Sequence, residues 1–206
     1  MSSDDIQYPS GFGLKDVVAW GTTGLVVLDE PSKTIIRTPL DSLDQERIAE
    51  AINFIHGAGV IHGDLTRENI FLDENLNAKL ADFAGSSIDG SPLPIAVTAS
   101  HEYPGSLVFV QGDLFAFGSS LYEIMTGHAP YNGLTDKEIH TLYSKGEFPN
   151  TEFLQAIGST IRKCWHGQYC ASDSATKDIR GIFPPMPSFQ FQVQGDESST
   201  QSSTTR

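Results

Sequence analysis

Three side chains that can offer oxygen ligands to a metal ion lie close together in the sequence: Asp64, Asn69 and Asp82. Short apolar runs at 70–72 and 78–81 separate them, and a polar stretch typical of a turn joins the two runs. A hairpin here would return Asp82 to the loop that carries the other two residues. Because Mg²⁺ takes few protein oxygens and leaves positions for phosphate, two carboxylates and an amide predict a magnesium–phosphate site.

The residues around these candidate ligands resemble two motifs of protein kinases. Residues 62–69 read His-Gly-Asp-Leu-Thr-Arg-Glu-Asn, and residues 82–84 read Asp-Phe-Ala. In order and spacing they match the catalytic-loop pattern H-R-D-L-x-x-x-N and the metal-binding pattern D-F-G. The resemblance implies an α+β fold of the protein kinase type, with a mainly helical C-terminal lobe and a reduced, β-rich N-terminal lobe.

The resemblance also implies a reaction and a role for each matching side chain. Protein kinases transfer a phosphoryl group from ATP, bound with Mg²⁺, to Ser/Thr or Tyr hydroxyls of proteins. By position, Asp64 orients the acceptor hydroxyl, and Asn69 and Asp82 hold the metal. Thr66 replaces a lysine that serine/threonine kinases place near the transferring phosphate, and the neighbouring Arg67 is predicted to reach the same space. Asp64 and Arg67 are therefore the catalytic candidates.

The loop that follows the metal motif resembles a kinase activation segment. Residues 85–105, here called the activation-like segment, are rich in Gly, Ser and Pro. Thr98, Ser100 and Tyr103 are candidate phosphoacceptors within it, although hydroxyls in a loop are usually only surface groups. Gly63 stands where many kinases have the arginine that reads a phosphorylated activation loop. Control by that route is therefore not expected.

A strand, glycine turn, strand pattern precedes the catalytic loop. Apolar and β-branched runs predict three short strands, at residues 17–20, 25–28 and 34–37. The resemblance places Gly21, Gly24 and Val26 at nucleotide-binding positions of the glycine-rich loop, although a plain hairpin turn explains the glycines equally well. Arg37 stands where the family has a phosphate-binding lysine, and its planar fork makes the exchange non-conservative.

Residues 38–61 are too few for the elements that a complete kinase places there. A helix with an ion-pairing glutamate, two further strands, the adenine-binding hinge and two helices need about 60 residues. The sequence instead predicts one helix with its isoleucines on one face. We therefore expect the glutamate-bearing helix, the last two strands and the hinge to be absent. Glu46 and Glu50 are interpreted as solvent-face charges.

The apolar stretch 113–125 predicts a buried helix in the second half of the chain. It resembles the central helix of the kinase C-terminal lobe, where an aspartate accepts hydrogen bonds from N–H groups of the catalytic loop. That role is implied for Asp113, and a plain N-cap is the alternative. Three further helices are predicted, one capped by Thr135 with Glu138, one over 152–166 and one over 174–182.

Composition excludes some partners. The formal charge of −13, from 13 basic and 26 acidic residues, argues against a nucleic acid or an anionic membrane as partner. Cys164 and Cys170 lack metal-ligand spacing and are predicted to be reduced thiols of a cytoplasmic protein. Neither a signal peptide nor an apolar run of about 18 residues is found, so no membrane span is predicted.

We expect four parts along the chain and two classes of function. The parts are a flexible leader over 1–14, a truncated N-lobe β segment over 15–41, a kinase C-lobe over 42–182 and a disordered tail over 183–206. The first function is a protein kinase with impaired transfer, which binds ATP with Mg²⁺ weakly and acts on a protein substrate. The alternatives are a pseudokinase that serves as a binding or scaffold module, or a shortened product of a kinase gene.

Overall fold

The chain forms a small antiparallel sheet followed by a mainly helical body. The computed structural model describes residues 15, 17–21, 24–29, 31, 34–38, 42–73, 77–94 and 96–182. The expected leader and tail lie outside the described residues.

Three strands make up the first sheet, as the sequence predicts. They are β1 (Val17–Gly21), β2 (Gly24–Asp29) and β3 (Thr34–Thr38). The strands pair antiparallel in chain order, with Gly21 opposite Gly24 and Val26 opposite Arg37. The two glycines therefore close a hairpin at the junction of β1 and β2.

One helix connects the sheet to the catalytic loop. Between β3 and β4 (Val60–Ile61), the described residues form only α1 (Ser42–Gly57). The helix buries Ile48 and Ile52, which confirms the predicted apolar face. None of the further strands and helices of a complete kinase occurs among residues 42–61.

Short strands frame the predicted metal site. A 3₁₀ turn at Arg67–Asn69 leads into β5 (Ile70–Leu72), which pairs antiparallel with β6 (Ala78–Leu80). Strand β7 (Ser87–Ile88) pairs with β4. The predicted hairpin is thus present, and it turns the chain back toward the catalytic loop.

Helix α2 (Val110–Thr126) is the centre of the helical body, and residues 112–124 of it are buried throughout. It packs on α4 (Gln155–Trp165), where a Cβ at Gly118 would lie 2.7 Å from the Cβ of Cys164. Only glycine at this position allows the two helices to approach so closely. Trp165 Nε1 donates a hydrogen bond to Ser119 Oγ at 3.0 Å and satisfies both buried groups.

The remaining helices enclose this pair. Helix α3 (Asp136–Ser144) carries the predicted capping box of Thr135 and Glu138, and α5 (Ser172–Ile182) packs on α1. Both predicted C-terminal helices shift at their starts, since a 3₁₀ turn precedes α4 and α5 begins two residues earlier. No helix among the described residues is both long and apolar enough to cross a membrane.

Two glutamates of α1 do more than face solvent. Glu46 and Glu50 both form ion pairs with Arg180 of α5. Both glutamates still lie on the solvent face, as the sequence predicts, because the Arg180 and Glu50 side chains are about half exposed. The pairs join α1 to α5 across the surface of the helical body.

Candidate active site

Asp64 and Asn69 are joined directly. The Asn69 amide nitrogen donates to Asp64 Oδ2 at 2.9 Å and to the Asp64 carbonyl oxygen at 2.8 Å. The 3₁₀ turn supports this geometry because the Asn69 N–H donates to Thr66 O at 3.1 Å. Both side-chain bonds use the amide nitrogen, so the amide oxygen is the atom that could coordinate a cation.

Asp82 is tied to the same loop through its neighbours. The Ala81 N–H donates to Asn69 O at 2.9 Å, and the Phe83 ring lies 4.9 Å from the ring of His62. Asp82 itself has a φ of +59°, a left-handed conformation that Asp tolerates better than most residues. The expected return of Asp82 to the catalytic loop is therefore present, while its role as a metal ligand stays a prediction.

His62 joins the two halves of the site. Its ring is fully buried; Nε2 bonds the Ala81 carbonyl oxygen at 2.9 Å, and Nδ1 accepts from the Asp64 N–H at 3.3 Å. Since a carbonyl can only accept, Nε2 carries the proton and Nδ1 is the acceptor. The sequence motif includes this histidine, but no role was predicted for it because the motif does not reveal its bonds to Ala81 and Asp64.

The catalytic loop is anchored by Asp113 of α2. This carboxylate is 1% exposed and accepts from the His62 N–H at 2.7 Å and the Gly63 N–H at 2.8 Å. His56 Nε2 donates to it at 2.9 Å. Asp113 is the fourth residue of α2, and Phe109 is the N-cap, so the N-cap alternative is wrong. The implied role in holding the loop is confirmed.

Gly63 gives the activation-like segment a place to pack. Its φ is +80°, and a Cβ there would lie 2.4 Å from Leu93 Cδ2. Ser86 Oγ adds a hydrogen bond to His62 O at 3.1 Å. A side chain at position 63 would therefore collide with the segment, which lies directly on the catalytic loop.

The three candidate phosphoacceptors differ in accessibility. Thr98 is exposed. Ser100 is buried and bonds His101 Nδ1 through its hydroxyl at 3.0 Å. Tyr103 is half-buried, with its ring 5.7 Å from that of Phe115. Of the three, only Thr98 is open to a modifying enzyme in this conformation.

Arg67 is held by an ion pair on α2. Its Nε lies 2.8 Å from Glu123 Oε1. Burial raises the pKa of Glu123, and the guanidinium of Arg67 opposes that shift. Sequence reasoning missed Glu123, since nothing in its local pattern separates it from other helix glutamates. The catalytic role predicted for Arg67 stays a prediction.

The other predicted site residues sit in the first sheet. The pairing of β1, β2 and β3 brings together the four positions predicted to bind nucleotide, Gly21, Gly24, Val26 and Arg37. Their approach to the catalytic loop stays a prediction. Among the described residues, no three His, Cys, Asp or Glu side chains form a group that could hold a metal. The predicted ligands Asp64, Asn69 and Asp82 are not such a group, because Asn69 is an amide and not a His, Cys, Asp or Glu side chain.

Comparison with known proteins finds one matching family model and several curated relatives. A family model described as protein tyrosine and serine/threonine kinase matches residues 39–171. A probable serine/threonine-protein kinase of Dictyostelium discoideum is 30% identical over 131 residues, which cover 58% of this chain and 14% of that protein. A tyrosine-protein kinase receptor of Gallus gallus is 30% identical over 149 residues, 66% of this chain and 16% of the receptor.

A serine/threonine-protein kinase of Cryptococcus neoformans is 35% identical over 104 residues, 44% of this chain and 8% of that protein. The chain thus spans less than a fifth of these curated relatives. The family match includes the catalytic loop, Asp82 and Asp113 but starts after β3.

Proposed function

The chain belongs to the protein tyrosine and serine/threonine kinase family, and we propose that it is a protein kinase domain with weak phosphoryl transfer. The observation that carries the proposal is the bonded pair of Asp64 and Asn69, with Asp82 returned beside it by the hairpin. The proposed substrates are ATP with Mg²⁺ and a Ser, Thr or Tyr hydroxyl of a protein.

Each residue of the site has a defined task in this proposal. The amide oxygen of Asn69 and the carboxylate of Asp82 would hold Mg²⁺, which neutralises phosphate charge when bound. Asp64 would accept the hydrogen bond of the acceptor hydroxyl and so orient it. The Asn69 amide nitrogen fixes the Asp64 carboxylate. Asp113 keeps the loop rigid, so little reorganisation is needed when substrates bind.

We propose weak transfer because this chain differs from kinases in residues and elements that position the nucleotide. Catalysis of phosphoryl transfer depends almost entirely on positioning and electrostatics. Arg37 replaces the expected lysine and Thr66 replaces the lysine of the loop. Between β3 and β4 the described residues form only α1, which supports the expectation that the hinge and its neighbouring elements are missing. Adenine would therefore gain no directed hydrogen bonds.

The same single helix favours a second candidate function, a binding or scaffold module without transfer. We also propose a protein partner and a cytoplasmic location, supported by the formal charge of −13 and by two free cysteines. A transcript that encodes further in-frame residues near 38–45 would instead favour the shortened-product alternative.

Radiolabelled ATP with a generic peptide and Mg²⁺ or Mn²⁺ tests the proposal. We expect turnover well below the roughly 1–100 s⁻¹ typical of kinases, and loss of that turnover in Asp64→Asn. Asp136→Asn, at an exposed position of α3, is the matched control and should behave as the wild type. Fast turnover that disappears in Asp64→Asn would contradict the impairment. No turnover, with nucleotide binding retained, would select the binding module.

A further inference from the structure

Two ionisable side chains from separate elements, Arg67 and His101, meet at Glu123 of α2, and we call the three residues the Glu123 cluster. Oε1 of Glu123 lies 2.8 Å from Arg67 Nε in the catalytic loop. Oε2 lies 3.8 Å from Nε2 of His101, in the 3₁₀ turn Ala99–His101 of the activation-like segment. Glu123 is 7% exposed and His101 is 3% exposed. Water therefore screens the charge of Glu123 little, whereas the Arg67 side chain is 36% exposed and its charge is partly screened.

His101 points a buried polar atom at Glu123. Its Nε2 has no hydrogen-bond partner, and 3.8 Å is beyond hydrogen-bond distance. The other ring nitrogen bonds Ser100 Oγ, and the Ser100 carbonyl accepts from the Tyr143 hydroxyl at 3.0 Å. The backbone of this turn is therefore fixed on α3, while its remaining polar atom faces the carboxylate. An unpaired buried polar group is rare in a native structure and calls for an explanation.

We propose that Glu123 is a positioning residue of the phosphotransfer site, which couples the catalytic loop to the activation-like segment through its two carboxylate oxygens. Arg67 shares its 3₁₀ turn with Asn69, and Asn69 fixes Asp64. A displaced Arg67 would therefore loosen the residue that orients the acceptor hydroxyl. The link to catalysis rests on the proposed function, whereas the coupling of the two segments does not.

The first test separates electrostatic coupling from plain packing. Burial, and next the charge of Arg67, lower the pKa of His101 to about 4. Arg67→Met should raise that pKa, because a nearby cation is removed. Arg67→Lys keeps the charge and should leave the titration near that of the wild type.

NMR titration of the His101 ring measures these shifts in the full chain. A higher His101 pKa in Arg67→Met, without a comparable rise in Arg67→Lys, supports the proposal. No rise in Arg67→Met, or an equal rise in Arg67→Lys, overturns it, since a packing role does not depend on charge.

Hydrogen exchange provides the second test. In Glu123→Met we expect exchange to rise about tenfold in peptides covering 62–69, the loss expected for a charge-assisted hydrogen bond. Peptides covering 96–104 should show a smaller rise, because the His101–Glu123 contact at 3.8 Å is not a hydrogen bond. Peptides from α4 and α5 should exchange as in the wild type. Glu152→Met, at an exposed glutamate, is the control. A rise in only one segment, or throughout the helical body, contradicts the coupling.

Nucleotide-dependent stabilisation, measured on the same variants, separates this proposal from the proposed function. Wild-type protein that shows the exchange pattern but no response to ATP with Mg²⁺ would leave the coupling in place and contradict the kinase proposal. A response to ATP without the exchange pattern would do the reverse. With both present, Glu123→Met should lower turnover while nucleotide binding is retained.

Discussion

Replacing Asp113 by alanine should strongly destabilise the protein. The substitution leaves three hydrogen-bond donors to this carboxylate without their acceptor: the buried His62 N–H, the partly buried Gly63 N–H and His56 Nε2. Each donor left without an acceptor costs about 1–3 kcal/mol, and the cost should be lowest for the partly buried Gly63 N–H, which water can reach most easily. We therefore expect a loss of about 3–5 kcal/mol in the free energy of unfolding.

Urea unfolding of the wild type, Asp113→Ala, Asp113→Asn and Asp136→Ala measures this loss. With an m-value of about 2 kcal/mol/M, the alanine variant should unfold at a urea concentration roughly 2 M lower. Asparagine keeps one acceptor but turns an NH₂ group toward another donor, so about half of the loss should remain. Asp136→Ala, at an exposed position of α3, should change stability by about 0.5 kcal/mol or less. Equal midpoints for Asp113→Ala and Asp136→Ala would refute the anchoring role.

Three further predictions concern other buried or constrained positions. His101 binds a proton more readily in the unfolded state than in the folded state. The free energy of unfolding should therefore fall by about 3 kcal/mol as the pH drops from 6.5 to 4. In urea unfolding, His101→Asn should make the free energy of unfolding depend less on pH over this range. Gly63→Ala should cost about 1–3 kcal/mol, because its positive φ is strained and the Leu93 side chain must shift, whereas Gly90→Ala, with a similar positive φ but open space, should cost about 1–2 kcal/mol. Gly118→Ala should destabilise by about 1–3 kcal/mol in thermal unfolding, and Gly181→Ala, which meets no neighbour, should not.

Local motifs made part of the site predictable. The catalytic-loop pattern places Asp64 close to Asn69, and the predicted hairpin brings Asp82 back to the same loop. Because the three residues lie within one short stretch of the sequence, their approach could be predicted from local patterns. The anchoring of the loop by Asp113 was also implied by the resemblance. The competing N-cap interpretation failed because α2 begins at Val110, without a side-chain cap that a sequence pattern could reveal.

Contacts between distant segments were not predictable. Glu46 pairs with Arg180, and Arg67 pairs with Glu123. Each pairing depends on how helices pack, and single charges on a helix surface look alike in sequence. The packing of Leu93 against Gly63 was likewise not predictable from the sequence. The sequence showed that arginine was missing at position 63, but only the packing shows what fills the space.

Nucleotide-dependent thermal unfolding tests the central claim most directly, that Asp64, Asn69 and Asp82 still hold a metal–phosphate group. For a Kd of about 1 mM, roughly 10 mM ATP with Mg²⁺ should add about 1.4 kcal/mol, and thus raise Tm by roughly 3–6 °C. GTP and triphosphate should act similarly, because we expect no hinge that selects adenine. The rise should require Mg²⁺ and disappear in Asp82→Ala but not in Asp136→Ala. No rise even with Mn²⁺, or an equal rise in Asp82→Ala, would contradict the account.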